Sequence, residues 1–256
     1  MSVAKFVLPP LVAVATMDLA AAQPNVAASI KPIHSLVSSV MEGVATPLLL
    51  VEAGSPHTYS LKPSQANYLQ EADAIFWVAH DVETFLEKPL ESIPKNTVVI
   101  ELGETRGLTE LSFREGGLFD SHNHDDHDKH DNHDKHDKHD DHDKHDDHDK
   151  HDKHDKHDDL AKHEEHDHGE HDPHFWLDPE NAKVMVKEIQ HQLSSIDPSN
   201  RERYQSNAKK TELMLDGLIT EVEGELANLQ ASEFIAFHDA YQYFENRFGV
   251  NAVGTV

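Results

Sequence analysis

Twenty-three histidines and no cysteine define the chemistry open to this 256-residue chain. Without thiols there are no disulfides, no cysteine zinc knuckles and no thiol nucleophile, so a metal has to be held by imidazole and carboxylate. Seventeen of the histidines fall between His122 and His171, in a tract whose core repeats His-Asp-Lys or His-Asp-Asp every three residues from His127 to His157. The other six are His34, His57, His80, His174, His191 and His238. Three imidazoles plus water or a carboxylate make a tetrahedral Zn²⁺ site, with nitrogens at about 2.0–2.1 Å from the ion. In the tract, imidazoles interleaved with Asp read as a collector of several exchangeable metals, Cu²⁺ and Ni²⁺ included, rather than as a plain acidic spacer. Its sites should be weaker than a preformed one, because a flexible chain is ordered on binding.

The isolated histidines are positioned by an alternation of apolar runs and amphipathic stretches, the strand-helix rhythm of parallel α/β architecture. Strands are expected at 26–30, 48–51, 74–79, 97–101, 174–177, 234–237 and 252–256. Helices are expected at 32–42, 64–71, 82–92, 178–196, about 199–229 and 240–248. Asp178-Pro179-Glu180 reads as a helix start, with Asp as N-cap and Pro at the first helical position. Ser199-Asn-Arg-Glu202 has the spacing of a capping box. The helix it opens has about 30 residues and would span about 45 Å, longer than one small α/β domain needs, so it reads as a bridge between two lobes.

In that frame His57 follows a strand within a Gly/Pro loop, His238 ends a strand before a helix, and His174 opens an apolar Phe-Trp-Leu segment. Ligands of open α/β sheets sit beyond strand ends, so these three are placed to converge. Taken singly, a histidine at a strand end is more often a hydrogen-bonded structural residue, and separations of 117 and 64 residues make no local motif. His80 ends a strand and is an accessory candidate. His34 reads as a surface or capping residue, and His191 as solvated on a helix flank.

Composition excludes several classes of function. Net charge is −26, of which residues 120–172 supply about −14, and no basic stripe is left to neutralise phosphates. Nucleic acid and anionic membrane surfaces are therefore poor partners. Residues 1–22 combine a basic start, a short apolar run and Ala20-Ala21-Ala22, the pattern of a cleaved signal peptide, and no other apolar run is long enough to span a bilayer. With so few apolar residues, the tract at 120–172 reads as disordered until metal binds. His-Glu-x-x-His, Gly-x-Ser-x-Gly, phosphate loops and Gly-x-Gly-x-x-Gly are all absent, and His163-Glu-Glu-His166 has the wrong spacing for two ligands one helical turn apart. An enzyme is not expected.

Three segments carry a family resemblance: Gly54-Ser-Pro-His57-Thr-Tyr-Ser-Leu-Lys-Pro-Ser64, His174-Phe-Trp-Leu-Asp-Pro179 and Phe237-His-Asp-Ala-Tyr-Gln-Tyr-Phe244. They resemble the metal-binding segments of periplasmic zinc-binding proteins (ZnuA-type) of zinc ABC importers. Ser29-Ile-Lys-Pro-Ile-His34-Ser and Phe113-Arg-Glu-Gly-Gly117 are similar as well.

The resemblance implies two lobes of parallel sheet flanked by helices and joined by one long rigid helix. Zn²⁺ would be held in the cleft by His57, His174 and His238, with the fourth ligand unassigned, and the His-rich insert would fall before the second ligand. The expected organisation is a signal peptide at 1–22, an N-terminal α/β lobe at 23–197 containing the loop at 120–172, a linker helix at 198–230, and the start of a C-terminal α/β lobe at 231–256. A lobe of about 25 residues cannot build its own core, so the chain reads as C-terminally truncated. The implied function is a monomeric periplasmic solute-binding protein that captures Zn²⁺ and delivers it to an inner-membrane ABC permease, with affinity falling as the imidazoles protonate. Two other readings stand beside it: a manganese or iron importer of the same fold, and a His-rich metal-storage protein or nickel chaperone.

Overall fold

A computed structural model describes residues 23–114, 171–229 and 232–256. The signal-peptide reading at 1–22, and the tract up to residue 170, lie outside the described residues. Strands β1 (Val26–Ala28), β2 (Leu48–Leu49), β3 (Ala74–Trp77) and β4 (Val98–Glu101) form one wholly parallel sheet in the order β2-β1-β3-β4. The central strands β1 and β3 are buried along their whole length, as a parallel sheet covered on both faces requires. Their side chains divide by the two-residue period of a strand. Val26, Ala28, Ala74 and Phe76 enter one core with helices α1 (Lys31–Val40), α4 (Pro179–Ile196) and α5 (Arg201–Leu226). Ala27, Ile75 and Trp77 enter the other with Leu69 of α2 (Pro63–Gln70) and Leu86. Helix α6 (Gln242–Phe248) separates a second parallel pair, β5 (Glu233–Ala236) and β6 (Asn251–Thr255). Gly249, at φ +68°, takes the left-handed conformation that ends α6 and turns the chain into β6.

The start of α4 forms as its sequence implies, with Asp178 accepting from the Glu180 N–H and Pro179 at the first position. Elsewhere most element ends shift by a residue or two, and three readings need correction. Residues 174–177 form no strand: the Leu177 and Asp178 N–H groups bond back to His174 and Phe175, which makes a 3₁₀ turn at Phe175–Leu177. The helix expected at 82–92 shrinks to a 3₁₀ turn at Thr84–Leu86 and a short α3 (Glu87–Glu91), where Pro89 lacks the N–H needed to continue the ladder.

The capping box does not form either. Ser199 and Asn200 donate to Asp197 within a 3₁₀ turn, and α5 starts afterwards at Arg201. Helix α5 has 26 residues, about 39 Å, but its buried face comprises only Tyr204, Asn207, Ala208 and Thr211. Leu218 is 43% exposed, because the C-terminal half runs past the core.

Glu83, fully buried behind β3, accepts from the Val78 and Ala79 N–H groups. Burial pushes its carboxyl up to about 7, and the Glu101 charge acts in the same direction. The folded state therefore binds more protons than the unfolded chain between about pH 4.5 and 7. Stability should fall as pH rises across that window and then level off, with a loss of about 3 kcal/mol. In chelator-treated protein, Glu83→Gln should flatten this component, raising stability at pH 8 relative to wild type and leaving it nearly unchanged at pH 4.5. Parallel denaturation curves for the two proteins across the range would show that Glu83 does not titrate in this way.

Candidate metal centre

His57 sits in a 3₁₀ turn, Pro56–Thr58, beyond the end of β2. The loop turns at Gly54, whose φ of +88° suits a residue without Cβ, and it is fastened back to the sheet by its own following residues. Tyr59 Oη and Gln65 Nε2 both donate to the Leu50 carbonyl, at 2.9 and 2.6 Å, and Gln65 Oε1 accepts the Lys62 N–H at 2.9 Å. His174 stands one residue before the 3₁₀ turn that leads into α4, and Asp178 closes that turn as the α4 cap. His238 follows β5, where its carbonyl accepts the Ala240 N–H.

The three imidazoles meet. Taking one nitrogen from each, all ligand atoms lie within 4.8 Å of one another, and this is the only such group among the described residues. Nε2 of His174 and Nε2 of His238 are 3.3 Å apart, and the ring centroids are separated by 5.2 to 6.0 Å. A tetrahedral ion with nitrogens at about 2.05 Å requires nitrogens about 3.3 Å apart, so the His174–His238 edge already has the spacing of such a site. His174 is buried and packs against Trp176, whereas His57 and His238 are exposed, leaving the group open to solvent on one side.

The remaining isolated histidines stay outside the group. His34 is pinned by a contact from Nε2 to the Pro47 carbonyl at 3.1 Å, and His191 is exposed on α4. His80 pairs with Glu87 at 2.8 Å and lines a neighbouring cavity of about 130 Å³ with Asp81, Glu101, Glu104, His171 and Asp172.

The sequence reading missed what holds His174. Asp172 Oδ1 accepts from its backbone N–H at 2.9 Å and contacts its Nδ1 at 2.7 Å, and both residues are buried. Asp172 also closes the stem of the insert: its N–H donates to Leu111, next to an antiparallel bridge between Ser112 and His171. The β5–α6–β6 unit grips that stem and the α4 cap. Tyr243 Oη donates to the Asp172 carbonyl and accepts from the Leu111 N–H, Arg114 pairs with Glu245 and Asp239, and Arg247 clasps Asp178 with two contacts of 2.7 Å. The signal for Asp172 was its place two residues before His174, hidden at the end of a tract full of Asp.

Residues 26–256 match the family model ZnuA, zinc-uptake complex component A, periplasmic. The chain is 50% identical over 240 residues to the high-affinity zinc uptake system protein ZnuA of Brucella abortus (strain 2308), covering 93% of this chain and 69% of that protein. The same-named protein of Paracoccus denitrificans is 39% identical over 237 residues, with 92% and 67% covered. The fold matches the Zn(II)-bound ZnuA-like domain of AdcA from Streptococcus pneumoniae with a TM-score of 0.61 at 20% identity, over 91% of this chain and 66% of that one. The chain thus spans about two thirds of the length of the proteins it matches. A family match across nearly the whole described fold, joined to relatives at half identity, establishes that the chain belongs to the ZnuA family.

Proposed function

We propose that the protein is a periplasmic solute-binding protein that captures Zn²⁺ with His57, His174 and His238 and passes it to an ABC-type import permease. The observation that carries this reading is the convergence of three imidazoles from segments 117 and 64 residues apart, with one edge already at tetrahedral spacing. The all-imidazole set favours zinc over the harder manganese ion, which prefers oxygen ligands. A fourth ligand, water or a carboxylate, completes the shell. The proposed organisation keeps a signal peptide at 1–22, an N-terminal lobe at 23–197 with the insert at 120–172, a linker helix at 198–230 and the beginning of a second lobe at 231–256. The working unit is a monomer that binds and releases its ion without altering it chemically. Among the described residues no helix is long and apolar enough to cross a membrane, which suits a protein meeting its permease at the membrane surface. The insert gathers metal weakly and hands it to the tighter centre.

Chelator-competition titration of the full chain tests this reading. Wild type should show one tight zinc site and several weak ones. Changing His57, His174 and His238 together to Ala should remove the tight site and keep the weak ones. Trimming residues 121–170, with His171 and Asp172 left in place, should do the reverse. An unchanged binding profile after the triple substitution would favour the metal-storage reading instead.

A further inference from the structure

We propose that Asp172 is the positioning residue of the metal centre, fixing the tautomer and aim of His174 and tying both to the insert's stem and to α6. This rests on the ligand assignment proposed above. The N–H, the carbonyl and Oδ1 of Asp172 are all committed, each to a different segment of the chain. Its N–H goes to Leu111 at 2.8 Å, its carbonyl receives Tyr243 Oη at 2.8 Å, and its carboxylate serves the backbone and the ring of His174. The residue is 3% exposed, so water does not compete for these bonds.

The consequence for His174 is chemical. A buried carboxylate oxygen 2.7 Å from Nδ1 selects the tautomer with the proton on Nδ1. That leaves the Nε2 lone pair bare, on the nitrogen that sits 3.3 Å from His238 Nε2. It also holds the ring plane, so the ligand is oriented before the ion arrives. A carboxylate behind a metal-bound imidazole raises its basicity, and losing such a partner typically costs about 10- to 100-fold in metal affinity. Because the same residue closes the stem and accepts from Tyr243, the aim of His174 is set by three segments far apart in the chain: 111–112, 171–174 and α6.

Two substitutions separate ring orientation from support of the backbone turn. In Asp172→Ser the hydroxyl still reaches the His174 N–H but falls short of Nδ1. In Asp172→Asn the amide oxygen reaches both. The full chain, stripped of metal at pH 8, is compared by long-range ¹H–¹⁵N correlation spectra, with His174→Ala identifying the His174 signals. Zinc affinity is measured on the same proteins by chelator competition, which isolates the tight site from the weak ones.

The expected wild-type signal is Nδ1-protonated His174. Asp172→Ser should shift the ring toward the Nε2-protonated form and weaken zinc binding by about 10- to 100-fold. Asp172→Asn should keep the wild-type tautomer and recover most of the affinity. A wild-type tautomer in Asp172→Ser, or affinity within twofold of wild type there while His174→Ala loses the site, overturns the positioning role alone. If His174→Ala itself binds zinc normally, the ligand assignment falls and takes this proposal with it.

Discussion

Changing His174 to Ala should weaken the tight zinc site by about 100- to 1,000-fold, the largest loss for any single residue of the trio. Structural zinc sites with four ligands bind with apparent energies of about 10–16 kcal/mol, so one ligand carries about 2.5–4 kcal/mol on average. His174 should reach the upper part of that range because it enters binding already ordered. It is buried, packed on Trp176 and bonded through both backbone and ring to Asp172, so little side-chain freedom remains to be lost. His57 and His238 are exposed, so more side-chain motion is restricted when the ion binds, which offsets part of what their bonds contribute. His57→Ala and His238→Ala should therefore fall short of the His174 effect. Equal losses for all three would mean that the ion, not the protein, organises the site. An unaltered affinity in His174→Ala would remove the centre altogether.

The difference between His174 and its partners also marks how far the sequence could be read. Parallel α/β architecture was legible because β1 and β3 are short apolar runs between amphipathic helices, a pattern set by covering a sheet on both faces. The trio was legible only through the segments around each histidine, since a separation of 117 or 64 residues has no periodicity to expose it. The His174-Phe-Trp-Leu segment was misread as a strand because three apolar residues in a row fit a buried strand as well as a turn. What decides the case is Asp178, which needs the chain to bend so that its carboxylate can cap α4. Ser199 was misread for a related reason. Its spacing to Glu202 fits a capping box, but the nearby Asp197 captures its hydroxyl first. Tyr243 and Arg114 were illegible in principle, because their partners lie 71 to 132 residues away and are mostly backbone groups or carboxylates of no distinctive type.

Arg247 is where such a long-range partner should have its largest effect on stability. Asp178 is fully buried, and each of its oxygens takes one donor from the Arg247 guanidinium at 2.7 Å, while Oδ1 also caps α4. Replacing Arg247 by Met would leave a buried carboxylate with a single backbone donor. Breaking a buried pair from one side costs about 3–5 kcal/mol; the Arg247 side chain is 30% exposed, which admits some water and places the expected loss at about 3 to 4 kcal/mol. Arg247→Lys should recover only part of this, since an ammonium is a point charge and cannot meet both oxygens in one plane. Asp178→Asn combined with Arg247→Met should cost less than the two losses added, because the double variant strands no charge.

The same contact joins α6, in the unit that carries His238, to the turn that carries His174. Arg247→Met should therefore loosen the His174–His238 edge and weaken zinc binding, so added zinc should stabilise it less than wild type at equal free metal and widen the gap between the two. Urea denaturation with and without buffered zinc measures both effects. A loss below 1 kcal/mol without metal would mean that Asp178 is held by its cap alone. A loss of the expected size that zinc does not widen would mean that the clasp stabilises the fold without setting the spacing of the two histidines.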